Sequence, residues 1–341
     1  MKNAMPISRY TLFALVLSSF IFAEKPENPS IFDSLNFQEI LKVEIETGID
    51  SLLNTKKTEA EIPATFSYKD AAGKAQNWEV TLQVRGKFRR RICEFPPLRL
   101  TFPKKKMKAA GFNEHNDLKL VVHCVDNEAG DEYILREYVA YKLYQILSPE
   151  SYRVQLLRVK YRDSDSKRSF TRYAILMEDE DELAERLGGE LCEDCFSTPK
   201  EQFRPDNINT QDLFQYMIGN TDWSTDMCRN MKLIKKTDGK YVAVPYDFDF
   251  SGFVYTAYAS VDTVAMKVKN VQQRVFLGFA RSPEELKTST ALFQAKEKAM
   301  ENYIKKFKWL TLESRNYMLQ YLDSFFRCLQ AGLDLKTPGK C

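Results

Sequence analysis

The hydrophobic period changes once along this chain, and that change restricts its folds more than any other feature. Up to about residue 180, apolar and polar residues alternate in short runs bounded by turn residues, the pattern of half-buried strands. Ile62–Lys69 and Trp78–Arg85 flank the turn Asp70-Ala-Ala-Gly73, and Leu98–Phe102 follows Pro96-Pro97. Leu118–Cys124 is a further apolar strand, and Val154–Tyr161 with Ser169–Met177 reads as a second hairpin. Between them Ile134, Leu135, Tyr138, Val139, Tyr141, Leu143 and Ile146 recur at helical spacing, predicting a helix over Glu132–Leu147 that Pro149 stops. Asn209-Thr210-Gln211-Asp212 offers caps for a helix through Ile218, ended by Gly219-Asn220; two short strands, Asn230–Ile234 and Tyr241–Val244, follow. From Pro283 to Leu333 the spacing is helical almost throughout, with amphipathic stretches at Leu292–Phe307 and Glu313–Leu329. The expected fold is α+β in two lobes. An extension (24–60) leads into a β-rich N-terminal lobe with one major helix (61–182), and a mainly helical C-terminal lobe (183–341) follows.

With 44% hydrophobic and 13% aromatic residues among 341, the chain can fill a substantial interior, which excludes global disorder. Fifty Lys and Arg against 47 Asp and Glu leave a formal charge of +3, no basis for general nucleic-acid binding. Two histidines argue against a His-rich metal centre or a His-based triad, and no Gly-x-Ser-x-Gly occurs. His123, on an apolar strand, reads as a core residue. Two local basic runs, Arg89-Arg90-Arg91 and Lys104–Lys108, suit either recruitment of an acidic partner or plain solubility.

Residues 1–23 have the form of an export signal: Lys2 and Arg9, an apolar run over Thr11–Phe22, then Ala23 before a polar stretch. The run is too short to span a bilayer comfortably, so the expected mature chain is periplasmic or extracellular with no stable membrane span. Seven cysteines (93, 124, 192, 195, 228, 328 and 341) leave one over if the rest pair, and their pairing is not legible from sequence. Cys192-Glu-Asp-Cys195 suits a local disulfide or two free thiols; no second CxxC or nearby His completes a zinc site. Oligomeric state is left open.

The stretch Gly219-Asn-Thr-Asp-Trp-Ser-Thr-Asp-Met-Cys-Arg-Asn230, followed by Val244-Pro-Tyr-Asp-Phe-Asp-Phe-Ser-Gly252, carries the chemistry. It runs from a helix into a loop with Asp222, then Asn230, a hairpin, and Asp247 at a strand end. Phosphoryl transfer requires such a set: one carboxylate to orient the attacking hydroxyl, and an Asn and a second carboxylate to hold Mg²⁺ against the phosphates. Asp247 and Asp249 alternate, so an extended backbone would send them to opposite sides. A carboxylate between large apolar groups costs free energy unless a metal or hydrogen bonds compensate.

These elements resemble the CotH-type atypical protein kinases, and the Gly-Asn-Thr-Asp…Arg-Asn block is also similar to HipA-type kinases. The resemblance spans roughly 80–255. It includes Arg85-Gly86, Phe95-Pro-Pro-Leu-Arg-Leu-Thr-Phe102, Leu118-Lys-Leu-Val121 and the helix with Arg136-Glu137. It implies a two-lobed protein-kinase-like fold and an exported kinase that moves the γ-phosphate of ATP, with Mg²⁺ or Mn²⁺, to a protein or other hydroxyl acceptor. Asp222 would be the catalytic carboxylate, Asn230 and Asp247 metal ligands, and Asp249 a weaker third ligand. Lys119 would contact phosphates and pair with Glu137, with Arg99 as runner-up.

Two departures accompany the resemblance. Seven residues separate Asp222 from Asn230, more than in the usual kinase catalytic loop, so Asp226 competes for the catalytic role. No Gly-rich loop covers the phosphates, so Arg85, Arg99 or the basic run must hold them. The acidic run Glu178–Glu182 would lie near the hinge, capping a helix, meeting a ribose or simply solvated. A non-catalytic, pseudokinase-like envelope or surface binding module is the alternative. A metal-dependent hydrolase built on Asp222, Asp247 and Asp249 is a third reading.

Overall fold

The computed structural model describes residues 28–341, so the export signal read over 1–23 lies outside the described residues. Seven strands form a closed barrel: β1 (Ile40–Thr47), β2 (Glu61–Lys69), β3 (Ala75–Val84), β4 (Leu98–Thr101), β5 (Asp117–Val122), β6 (Val154–Asp163) and β7 (Ser169–Met177), in the order β1-β2-β3-β4-β5-β7-β6. The two-lobed kinase-like fold expected from sequence is therefore corrected: a closed mixed barrel with helices forms instead.

The closing strand is the cause. β1 falls within the segment read as an extension, yet Leu41, Val43 and Ile45 alternate inward along it. It pairs antiparallel with β2 on one side and parallel with β6 on the other, where Ile45 faces Tyr161. Every other neighbouring pair in the barrel is antiparallel. Closure leaves no unpaired edge, and the inward residues of all seven strands merge into one apolar core that includes Phe66, Leu82, Leu100 and Leu118.

Two short helices, α1 (Ile31–Leu35) and α2 (Ile49–Asn54), flank β1; α3 (Arg89–Ile92) and α4 (Lys104–Ala109) lie in the loops around β4. The long α5 (Glu128–Leu147) is buried around most of its circumference. It packs on β6 and β7 on one side and, on the other, against the helices α7 (Pro205–Ile218), α8 (Pro283–Lys306) and α9 (Leu312–Gln330). A helix between two layers loses its polar face, which explains why buried apolar residues such as Ile134, Tyr138, Leu143 and Leu147 lie on more than one side of it. α6 (Glu180–Arg186) leads into β8 (Gly189–Cys192), which joins β9 (Met231–Lys236) and β10 (Tyr241–Pro245) in a small antiparallel sheet of order β10-β9-β8.

α8 opens on a capping box made by Ser282 and Glu285, and Thr311 caps α9. Their apolar stripes, with Phe293, Met300 and Phe325, complete the second core around Phe214 and Phe248. Disulfides join Cys93 to Cys124, Cys192 to Cys195 and Cys328 to Cys341; Cys228 is the free thiol. The first anchors the end of α3 to the end of β5. No described helix is long and apolar enough to cross a membrane.

Candidate functional site

The chain leaves β10 at Pro245 and turns at once. Asp247 has φ 66°, in the left-handed region that Asp tolerates better than most residues. This one residue breaks the pleat, so Asp247 and Asp249 do not diverge as an extended segment would require. Both carboxylates instead meet the guanidinium of Arg89: Nη2 contacts Asp247 Oδ1, and Nη1 lies 3.5 Å from Asp249 Oδ2.

α5 holds this turn through two side chains one helical turn apart. Tyr141 Oη accepts from the Asp247 amide at 2.8 Å, and Glu137 Oε1 accepts from the Phe248 amide at 3.3 Å. Glu137 is buried, and burial with Asp249 nearby pushes its carboxyl well above the usual range while Arg89 opposes the shift. Asp249 is 2% exposed, and its Oδ2 has no hydrogen-bond partner. Burial pushes it up to about 7 against the pull of Arg89.

Asp222 follows α7, whose C-cap Gly219 takes φ 63°; a Cβ there would sit 2.1 Å from Tyr321 Oη, so glycine is required twice over. Asn220 fixes the next step: its Oδ1 accepts from the Asp222 amide (3.0 Å) and its carbonyl from Trp223 Nε1 (3.0 Å). Asn230, also left-handed at φ 55°, donates Nδ2 to Asp222 Oδ2 at 3.0 Å and to the Asp222 carbonyl at 2.6 Å. Its own carbonyl accepts from the Tyr246 amide (3.0 Å), coupling the Asp222 loop to the Asp247 turn. Burial raises the Asp222 carboxyl, opposed by Arg229, whose Nε lies 3.5 Å away. Non-glycine residues in the left-handed region carry a conformational cost, and two stand side by side here.

Asp222, Asn230, Asp247 and Asp249 all line one cleft of ≈ 920 Å³. Arg85 lines it too. Among the described residues no carboxylate lies within 4 Å of the Arg85 guanidinium, and burial lowers its pKa. Asp226 is exposed and does not line the cleft.

Other residues singled out in the sequence lie elsewhere. Lys119 is buried on β5 but does not pair with Glu137. It contacts Glu180 and lies over the Tyr246 ring at 4.4 Å, its pKa held well below the ordinary range by burial and then by Arg85. Arg99 is half exposed and bound to Asp117 at 3.2 Å, outside the cleft. The acidic run is largely built in. Glu178 is fully buried between Arg153 and Arg186 (2.6 Å to each), Asp179 caps α6, and Glu180 also meets Lys232 at 2.6 Å. His123 is buried and stacked on Phe95, with burial lowering its pKa to about 4. Arg89 is the site residue the sequence did not single out, since nothing distinguishes it from Arg90 and Arg91.

The oxygen donors fit a divalent ion of the Mg²⁺ type. The buried Asp249 Oδ2 makes no hydrogen bond and Asp247 is adjacent, so the carboxylates offer hard oxygen donors, while the soft sulfurs of Met227 and Cys228 line the same cleft. No group of three or more His, Cys, Asp or Glu side chains among the described residues forms a ready metal cage. Mg²⁺ bound through one or two carboxylates, waters and phosphates does not need one. A hydrolase that relied on Asp222, Asp247 and Asp249 as a carboxylate cage would.

No family model matches the chain, and no curated protein does. Among solved structures it is similar to the Helicobacter pylori proinflammatory kinase CtkA, over 74% of this chain and 95% of that one, at 9% identity and a TM-score of 0.39.

Proposed function

We propose that this chain is an exported, CotH-like kinase that transfers the γ-phosphoryl group of ATP to a hydroxyl on a protein acceptor with Mg²⁺ or Mn²⁺. The observation that carries the reading is the convergence of Asp222, Asn230 and Asp247, scattered along the sequence, on one cleft. Arg85 supports it: a half-buried guanidinium with no carboxylate partner among the described residues is suited to a phosphate. Three disulfides suit an oxidising compartment and so support export.

In this reading Asp222 orients the acceptor hydroxyl and takes its proton, and its raised pKa helps it do so. Asn230 holds Asp222 through the amide Nδ2. Asp247 and Asp249 supply the ligand oxygens, and Glu137 and Tyr141 keep the turn that aims them. The divalent ion, when bound, neutralises charge on the phosphates. Arg85 steadies the transferred group, which leaves Lys119 and Arg99 outside the chemistry.

One observation favours the non-catalytic binding module as the second reading: Arg89 already neutralises Asp247 and Asp249 without any metal. A transfer assay with γ-labelled ATP, Mg²⁺ and a generic protein acceptor separates the two. The kinase reading expects label transfer that Asp222→Asn lowers by about 10²–10⁴-fold, the usual worth of a positioned base. It also expects the variant to retain the nucleotide-dependent rise in melting temperature. Transfer by neither protein favours the binding module, and equal transfer by both removes Asp222 from the mechanism.

A further inference from the structure

Three of the seven cysteines gather beside the cleft. Cys192 and Cys195 form a disulfide at the end of β8, and Cys228 lies in the loop between Asp222 and Asn230. The two segments run side by side. Ser197 N donates to the Asp226 carbonyl at 2.9 Å, and Cys228 Sγ donates to the Cys195 carbonyl at 3.3 Å. Cys192 and Cys228 line the same small cavity of ≈ 220 Å³, together with Lys232. The hydrogen bond holds the Cys228 sulfur against the backbone of one half of the disulfide, and the shared cavity holds it beside the other half. All three residues are only half buried.

We propose that Cys228 is an exchange partner of the Cys192–Cys195 disulfide and that the three cysteines form a thiol switch on the loop carrying Asp222 and Asn230. The Cys228 thiolate attacks Cys195 Sγ, the Cys195–Cys228 bond forms and the Cys192–Cys195 bond breaks. Cys192 leaves as a thiolate and takes up the proton Cys228 gave away. One disulfide and one thiol stand on each side of the step, so it consumes no oxidant or reductant.

The exchange transfers the covalent tether from β8 to the loop. Residue 228, at φ 47°, would be fixed to residue 195, two positions from Asn230. The proposal stands whether or not the cleft transfers phosphate.

Non-reducing peptide mapping of Cys192→Ser and Cys195→Ser, with free thiols alkylated first, tests it. In Cys192→Ser held with oxidised glutathione, which takes up the two electrons the new bond releases, Cys195 and Cys228 are expected to be joined and closed to alkylation. In Cys195→Ser, Cys192 and Cys228 are expected to be alkylated. Cys195 and Cys228 both alkylated in a folded Cys192→Ser protein overturn the proposal, as does a Cys192–Cys228 bond in Cys195→Ser. Unmutated protein at pH 8.5, quenched with an alkylating agent, guards against misfolded variants. A Cys195–Cys228 peptide with alkylated Cys192 is expected as a minor fraction, and alkylation of Cys228 alone contradicts the switch.

Discussion

Asp247→Asn is expected to lower phosphoryl transfer by at least about 100-fold, since even outer-shell partners of a metal are worth 10–100-fold and Asp247 would be a direct ligand. The substitution keeps the shape and the backbone turn, whose amide is held by Tyr141 rather than by the carboxylate. It also has a consequence without any ligand. Arg89 is 11% exposed at its side chain and relies on Asp247 for its closest contact, leaving Asp249 at 3.5 Å as the remaining carboxylate. Removing one charge from that pair is expected to cost about 1–3 kcal/mol of stability in the unliganded protein. Parallel transfer assays and denaturant unfolding read the two effects. A variant as active and as stable as the parent would make Asp247 a surface carboxylate with no role.

Arg281→Met is expected to be the more damaging change to the fold. Arg281 donates from Nη2 to Asp212 Oδ2 at 2.8 Å, with the two side chains 2% and 0% exposed, and Asp212 Oδ2 also accepts from the Phe279 amide at 3.0 Å. This pair fastens α7, which delivers Asp222, to the segment that precedes α8. Breaking a buried pair from one side costs about 3–5 kcal/mol, because the remaining charge is buried without a partner. For a chain of this size that is a drop of roughly 4–7 °C in melting temperature.

The loss should depend on pH with a definite sign. Burial pushes the Asp212 carboxyl up to about 7 even with Arg281 opposing, and without Arg281 it rises further. A carboxyl whose folded pKa lies above its unfolded value is stabilised by protonation, so its contribution is lost as pH rises through the folded pKa. The deficit of Arg281→Met is therefore larger at pH 8 than at pH 5, and Asp212→Asn in the same chain should recover part of it. Unfolding curves at the two pH values check this. A deficit below about 1 kcal/mol, or one that grows towards acid, would mean the pair is not what fastens α7.

Much of the strand and helix content was legible because burial on one side imposes a period. β2, β3, β6, β7, α8 and α9 lie close to where alternation or helical spacing places them. Barrel closure was not. β1 alternates as cleanly as its partners, but its outward positions are charged, and its parallel partner β6 lies more than a hundred residues away with no hairpin turn to announce the pairing. Long-range registry leaves no local trace.

The same contrast governs the site. Asp222, Asn230 and Asp247 stood out because carboxylates and an Asn in loops after helices and strands are costly unless used. That Asp247 and Asp249 share one side depends on a single left-handed residue, which overrides the alternation of neighbouring positions. The pairing of Lys119 with Glu180 could not be told from pairing with Glu137, because both glutamates lie in plausible places and only packing selects between them. Arg89 is one of three consecutive arginines, and its selection by Asp247 depends on where the loop after β3 lands.

Thermal unfolding with ATP and Mg²⁺ together, ATP with EDTA, Mg²⁺ alone, and no addition, on the parent and on Asp247→Asn, addresses the cleft most directly. A ligand present at 100 times its dissociation constant stabilises by about 2.7 kcal/mol, several degrees for this chain. A metal-assisted nucleotide site predicts a rise of that order for the parent only when nucleotide and Mg²⁺ are both present, and none for Asp247→Asn. No rise at millimolar ATP and Mg²⁺, or an equal rise in EDTA and in the variant, would contradict it.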